Sequence, residues 1–122
     1  MQLSYYERIG NGTLQDLISF FYEEIRQDEV LLPMYKGDLE AAERRLFMFV
    51  VQYLGGPQTY SERRGHPRLR MRHAEFKVDN AAAEHWLACM QKAMGKVEME
   101  EDCRRFLWSY FEQTARFLQN QE

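Results

Sequence analysis

Residues 53–76 read YLGGPQTYSERRGHPRLRMRHAEF and show little of the periodic apolar pattern that marks a helix. A Gly-Gly-Pro sequence near the start of this stretch ends the helix that precedes it. The stretch is therefore predicted to be a long loop, and a loop of this length in a compact domain is usually functional or disordered. A short helical turn is predicted from Pro67, which would put Leu69 and His73 on one side.

The first clear helix lies well before this loop. It is predicted to begin at Thr13, a capping residue with Asp16 three positions later, after a Gly-Asn-Gly break in the chain. Its apolar positions follow helical spacing and are Leu14, Leu17, Ile18, Phe21, Tyr22 and Ile25. Pro33 then interrupts residues 28–35, which are predicted to form a turn or a single helical turn.

Three more substantial helices are predicted. One covers residues 39–54 with Asp38 as its cap, the next is capped by Asp79 and ended by Gly95, and the last completes the chain. Their apolar positions are Leu39, Ala42, Leu46, Phe49, Val50 and Tyr53; then Ala83, Trp86, Leu87, Met90 and Met94; then Met99, Cys103, Phe106, Leu107, Tyr110, Phe111, Thr114, Phe117 and Leu118. No segment alternates with period two, so the fold class is all-α, with four substantial and two or three short helices.

Composition narrows the function. A chain of 122 residues predicts one domain, residues 1–122, and a net charge of −3 argues against nucleic acid as a partner. The chain contains neither an apolar run long enough for a membrane nor a secretory signal. Cys89 and Cys103 are too few for a disulfide framework, which favours a cytoplasmic location. The aromatic content of 14% indicates either a bulky core or a flat ligand.

Motifs that carry chemistry are few. The chain lacks a dinucleotide fingerprint, a phosphate-binding loop and a zinc-protease motif. From local context alone, His73 is more often a structural or surface residue, His66 belongs to the loop and His85 points to solvent. A cluster of arginines in residues 63–72 is read as a solvated loop in preference to an anion site.

Residues 53–76 resemble the region around the proximal histidine of the group II truncated haemoglobins. Residues 20–35, FFYEEIRQDEVLLPMY, resemble the second helix of that family and the turn after it. Trp86 stands 13 positions after His73, and the Gly residues near positions 10 and 55 fall where truncated globins have theirs. The resemblance covers about residues 6–118. It implies a two-over-two helical sandwich around a haem, with an extended loop replacing most of the helix under the proximal histidine.

The same resemblance implies roles for individual residues. His73 would bind the iron of haem b through Nε2. Tyr22, Tyr35 and Trp86 would be hydrogen-bond donors on the distal side, where the apolar Ala42 and Leu46 cannot donate. Contacts to the propionates are implied for Arg45, Tyr60 and Arg72, and packing against the haem for Leu46, Phe49, Val50, Leu69, Met90 and Trp86.

Three functions remain open at this point. The first is reversible binding of oxygen, with carbon monoxide and nitric oxide as further diatomic ligands, in a monomer or homodimer. The second is a haem enzyme, a peroxidase or a nitric-oxide dioxygenase; repeated nitric-oxide turnover would need a separate reductase. The third is a helical interaction module that has lost its haem, which the joint presence of His73, Tyr22 and Trp86 argues against.

Overall fold

The computed structural model describes residues 3–35, 37–58 and 79–118. In these ranges the helices are α1 (Tyr5–Ile9), α2 (Asn11–Arg26), α3 (Leu39–Tyr53), α4 (Asn80–Met94) and α5 (Glu101–Leu118), with a 3₁₀ turn at Leu32–Met34. The described residues contain no strand, which confirms the all-α prediction. The 3₁₀ turn also confirms the single helical turn expected before Tyr35.

The start of α2 differs from the prediction. The helix begins at Asn11 with Gly10 as its N-cap, so Thr13 lies inside it and the proposed Thr13 cap is wrong. Gly10 explains the early start, because its φ of 95° lets one residue end α1 and begin α2. Its N–H donates to the carbonyl oxygen of Tyr6 at 2.9 Å and its own carbonyl accepts from Leu14. A capping box between Ser4 and Glu7 begins α1, and the sequence analysis missed it.

The caps predicted for α3 and α4 are confirmed. The carboxylate of Asp38 accepts hydrogen bonds from the N–H groups of Glu40 and Ala41, at 2.9 and 3.2 Å. Asp79 accepts from the N–H of Ala82 at 2.8 Å. Each bond satisfies an N–H that has no partner within its helix, so these residues set where the two helices begin.

The core forms around α2, which packs against α3 and α4, while α4 also packs against α5. Every residue of the apolar face predicted for α2 is buried. On α3 the prediction was wrong for Tyr53, which is 46% exposed, whereas Val51 and Leu54 are buried. The cause is α1, which lies against this end of α3 and hydrogen-bonds the Leu54 carbonyl through the Tyr6 N–H at 3.0 Å.

Helix α5 also departs from the predicted face at its end. Phe117 is 58% exposed, whereas Cys103, Leu107, Phe111 and Ala115 are buried and continue the core. Cys89 and Cys103 are both free and buried, and they lie on different helices, as expected from the sequence. None of the helices in the described ranges is both long enough and apolar enough to cross a membrane.

Candidate functional site

Tyr22 lies on the inner face of α2 and is 3% exposed. Its hydroxyl is 3.4 Å from the carbonyl oxygen of Ala42 on α3, which is long for a hydrogen bond between two oxygens. Burial, followed by the neighbouring Tyr35, raises the pKa of the Tyr22 phenol far above its ordinary value. The phenol therefore keeps its proton at neutral pH and acts as a donor.

Tyr35 ends the 3₁₀ turn, and its backbone N–H donates to the Leu32 carbonyl at 3.1 Å. Its ring meets the ring of Tyr22 edge to face, with centroids 5.8 Å apart. Burial raises the pKa of the Tyr35 phenol to about 12, although hydrogen bonding with Tyr22 and Trp86 acts in the opposite direction. The phenol of Tyr35 therefore keeps its proton at neutral pH and can donate a hydrogen bond.

Trp86 lies on α4 and is partly buried. Its indole packs edge to face against Phe21 of α2 at 5.0 Å and against Phe111 of α5 at 5.7 Å between centroids. These two contacts hold the ring against α2 and α5, and its effect on the pKa of the Tyr35 phenol places it beside Tyr35. The structure thus brings together the three distal residues implied by the sequence, although they come from separate parts of the chain.

The remaining predicted pocket residues in the described ranges are apolar, and those on one face of α3 form an apolar wall: Ala42, Leu46, Phe49 and Val50. Ala42 and Val50 are buried, and so is Met90 on α4. Leu46 and Phe49 are only partly buried, although both side chains are apolar. Neutral donors beside an apolar wall suit a flat apolar cofactor whose coordinated ligand carries partial negative charge, so the described residues fit the distal side of a haem.

Arg45 lies one position before Leu46 and is partly buried. It lines a surface cavity of about 360 Å³ together with Ala41, Arg44, Phe47 and Met48. Its guanidinium is thus accessible from outside the core at the border of the apolar wall. Four further predicted residues, His73, Tyr60, Leu69 and Arg72, lie outside the described residues, as does the long loop, and their roles stay predictions.

The side chain of His85 is 44% exposed, in line with the prediction that it points to solvent. Its Nδ1 also lies 2.9 Å from the carboxylate of Asp28, just after α2, a contact that was not predicted. The same carboxylate accepts the N–H groups of Val30 and Leu31, which lead into the turn that carries Tyr35. No spacing rule in the sequence links Asp28 to a residue 57 positions later, so sequence reasoning missed this pair.

Two pairs of packed helices that bring two tyrosines and a tryptophan together match a globin of the truncated class. The profile of the Bacterial-like globin family matches residues 4–120. The chain belongs to this family and, within it, to the group II truncated haemoglobins. Membership implies haem-based ligand binding, and the globin family binds diatomic gases.

Similar proteins of known structure confirm the two-over-two fold. A group 2 truncated hemoglobin of Bacillus subtilis is 43% identical over 116 residues, which cover 95% of this chain and 88% of the relative. The X-ray structure of a truncated oxygen-avid haemoglobin from Bacillus subtilis has a TM-score of 0.92 at 42% identity, covering 97% of this chain and 100% of that one. The group II truncated hemoglobin of Bacillus anthracis has a TM-score of 0.95 at 34% identity, covering 99% and 94%.

Proposed function

We propose that this chain, as a single domain of residues 1–122, binds oxygen reversibly on haem b, with His73 as the iron ligand. The observation that carries the proposal is the convergence of Tyr22, Tyr35 and Trp86 from α2, the 3₁₀ turn and α4. Three groups able to donate hydrogen bonds, brought together in a buried or partly buried place, suit a ligand that accepts hydrogen bonds there.

Haem, when bound, would be held by His73 and would supply an iron able to coordinate a diatomic gas. The chain's own contribution is to supply hydrogen-bond donors that are already oriented. Neutral donors favour a ligand that acquires partial negative charge, which is a property of oxygen more than of carbon monoxide. The pocket therefore favours oxygen among the diatomic gases.

Tyr35 lies at the centre of this group. Its ring meets that of Tyr22 with centroids 5.8 Å apart, and both Tyr22 and Trp86 act on the pKa of its phenol. Tyr22 donates its hydroxyl hydrogen to the Ala42 carbonyl at 3.4 Å. Since this bond is long, turning the hydrogen toward a ligand costs little. Tyr22 and Tyr35 are therefore the donors we assign first, with Trp86 beside them.

Residues that line the pocket would hold the haem through apolar contacts and through pairing with its propionates. Leu46, Phe49, Val50 and Met90 would pack against the ring, and small Ala42 would leave space for a diatomic ligand. The guanidinium of Arg45 would pair with the carboxylate of one propionate, and Tyr60 and Arg72 would complete the propionate contacts. The oxygen-avid character of the Bacillus subtilis truncated haemoglobin fits slow oxygen release from such a pocket.

The test is the absorption spectrum of the purified chain supplied with haem, recorded oxidised, reduced, and reduced under carbon monoxide or oxygen. We expect a Soret band that shifts with each gas and returns when the gas is removed. His73→Ala should lose this spectrum or alter it, with imidazole restoring part of it. A chain that stays colourless after haem is supplied would sink the proposal and favour a helical interaction module.

A further inference from the structure

The carboxylate of Asp28 faces two separate parts of the fold. Its Oδ1 accepts hydrogen bonds from the backbone N–H groups of Val30 and Leu31, at 2.9 and 2.8 Å. Its Oδ2 lies 2.9 Å from Nδ1 of His85 and 3.8 Å from Sγ of Cys89, both on α4. One carboxylate therefore connects the segment that follows α2 with the middle of α4.

The direction of the bond with His85 follows from the state of this carboxyl. Burial acts to raise the pKa of Asp28, but the hydrogen bonds from His85 and from the backbone lower the pKa overall. The carboxyl is thus ionised at neutral pH and can only accept hydrogen bonds, so His85 donates from Nδ1. Since the Asp28 side chain is only 15% exposed, water competes weakly for these bonds.

Backbone hydrogen bonds continue from Asp28 to Tyr35. The Asp28 carbonyl accepts the Leu32 N–H at 3.0 Å, and the Leu32 carbonyl accepts the Tyr35 N–H at 3.1 Å. Leu31, whose N–H bonds to the carboxylate, is 2% exposed, and its carbonyl accepts the Met34 N–H at 2.9 Å. Two successive hydrogen bonds thus transmit the position of Asp28 to Tyr35.

On the other side of the carboxylate, His85 directly precedes Trp86 on α4. Tyr35 and Trp86 belong to separate elements, and Asp28 is bonded to both of these elements. Hydrogen bonds weaken steeply when the donor moves away from the acceptor or out of line with it. The strength of two donors toward one ligand therefore depends on how firmly their elements are held together.

We propose that Asp28 is a positioning residue for the bound ligand: through His85 it fixes the turn that carries Tyr35 to the helix that carries Trp86. Asp28 acts through these two side chains and not on the ligand itself. This inference rests on the proposed function, because it concerns donors assigned to a ligand on haem. It adds the pair of residues that keeps those donors in place.

Glu24 provides a matched control. Its carboxylate pairs with Lys92 and Lys96 at 3.7 and 3.6 Å, so it also joins α2 to the region of α4. Its side chain is 17% exposed, close to the value for Asp28. Lys92 lies well beyond Trp86, at a distance of about 9 Å along a helix. Glu24→Gln therefore removes a similar charge away from the distal donors.

His85 supplies a second pair of variants that leaves the bonds within the turn intact. In His85→Asn the amide nitrogen is bonded to Cγ, as Nδ1 is in histidine, so a donor toward Asp28 is kept. His85→Leu removes that donor. The first variant should therefore keep the function that the second loses.

The experiment measures the dissociation of oxygen and of carbon monoxide from the haem-loaded ferrous protein by stopped flow. The variants are Asp28→Asn, His85→Leu, His85→Asn and Glu24→Gln, and Asp28→Asn is also made in a Tyr35→Phe background. Hydrogen exchange of the backbone amides in residues 28–35 is recorded by mass spectrometry, with and without haem, as a readout that does not depend on ligand binding. The carbon monoxide spectrum of every protein is recorded first.

We expect Asp28→Asn and His85→Leu to release oxygen roughly 3- to 10-fold faster, as when a neutral hydrogen bond is weakened, and carbon monoxide dissociation to change less. Amide exchange in residues 28–35 should be faster in both variants. His85→Asn and Glu24→Gln should stay close to the wild type. In the Tyr35→Phe background, Asp28→Asn should add little to the oxygen rate, because the donor through which it acts is already absent.

Unchanged oxygen release in Asp28→Asn, or the same acceleration with and without the Tyr35 phenol, would overturn the inference. Equal acceleration in Glu24→Gln would also overturn it, since that result would indicate a general loosening between α2 and α4. If Asp28→Asn takes up no haem, the comparison of His85→Leu with His85→Asn decides alone, and equal oxygen rates in these two overturn the inference. These outcomes, with a normal carbon monoxide spectrum in the wild type, leave the proposed function intact. A wild type that binds neither haem nor carbon monoxide overturns both.

Discussion

Tyr35 is one of the donors that we assign to the bound ligand. It lies where the 3₁₀ turn ends, beside Tyr22 and Trp86. A phenol with its pKa raised to about 12 by burial remains protonated throughout the physiological range. Its donor strength toward a ligand is therefore independent of pH below that value.

Replacing Tyr35 with Phe should speed oxygen release. A neutral hydrogen bond is worth about 1 kcal/mol, which corresponds to a roughly 5- to 10-fold faster dissociation of oxygen. Carbon monoxide dissociation should change much less, because that ligand carries little negative charge. Stopped-flow measurements on Tyr35→Phe and on the control Tyr6→Phe would test this. Equal acceleration for the two gases would indicate a change of pocket shape instead of a lost donor.

Two glycines give opposite stability predictions. An added Cβ at Gly56 would lie 2.7 Å from Val51 Cγ1 and 2.9 Å from the ring of Tyr6, where α1 meets the end of α3. Gly12 is exposed within α2 and has nothing within 4 Å of an added Cβ. Gly56→Ala should therefore lower the free energy of unfolding by about 1–3 kcal/mol, and Gly12→Ala should raise it by up to about 1 kcal/mol.

Urea unfolding of the two glycine variants tests the predicted fall and the predicted rise in the free energy of unfolding in one series of measurements. Because each change adds a single methyl group, the pair separates steric crowding from the general effect of removing a glycine. If Gly56→Ala proved as stable as the wild type, the close approach of Tyr6 to α3 would be relieved by movement of the ring. That result would mean that α1 is only loosely fixed to the rest of the fold.

Element boundaries were predictable where a side chain marks them. Asp38 and Asp79 cap α3 and α4 through local bonds within three residues, and the sequence contains all the information needed. The predicted start of α2 was wrong because the backbone of Gly10, and not a capping side chain, sets the boundary. Tyr53 was predicted to be buried because α3 has two apolar faces. Periodicity alone does not reveal that α1 covers the face that carries Val51 and Leu54.

The candidate site shows a similar division. Tyr22 and Trp86 could be placed on inner helix faces by spacing, but their convergence with Tyr35 came only from the resemblance to a family. Asp28 contacts His85, and the ring of Trp86 contacts the ring of Phe111, although the two residues of each pair are distant in sequence. Such contacts depend on how helices pack, which no local pattern encodes.

At the scale of elements, Asp28 links the end of α2 to α4. Burial alone would raise the pKa of its carboxyl, but hydrogen bonds from His85 and from the Leu31 and Val30 N–H groups lower the pKa overall. A lowered pKa in the folded state means that the carboxylate stabilises the fold above its ordinary pKa of about 3.9. The contribution is lost as the pH falls through the lowered value.

Asp28→Asn should reveal this contribution, since the amide keeps an acceptor for the backbone but loses the charge. We expect the free energy of unfolding in urea to fall by about 1 kcal/mol at pH 7. The gap between wild type and variant should close as the pH drops below about 4. Glu29→Gln is the matched control, because Glu29 is adjacent and exposed. A gap that stays constant with pH would contradict a role for the charge.

At the scale of the whole molecule, the two helix pairs meet where the ring of Phe49 on α3 stacks on that of Tyr110 on α5, with centroids 6.4 Å apart. A ligand that binds only the folded state stabilises it by mass action, by about 2.7 kcal/mol at a concentration 100 times its dissociation constant. In a domain of this size that corresponds to a rise of roughly 10 °C in the thermal midpoint. Haem should therefore raise the midpoint in proportion to the logarithm of its free concentration.

Iron-free protoporphyrin separates the two sources of this stabilisation. The flat ring alone would stabilise the folded state through its burial against the apolar wall of α3. Haem would stabilise it further through ligation of its iron by His73. We expect protoporphyrin to raise the midpoint equally in the wild type and in His73→Ala, and haem to raise it further only in the wild type. If haem and protoporphyrin stabilised the wild type equally, iron ligation would add nothing to folding. His73 could not then be the residue that holds the iron.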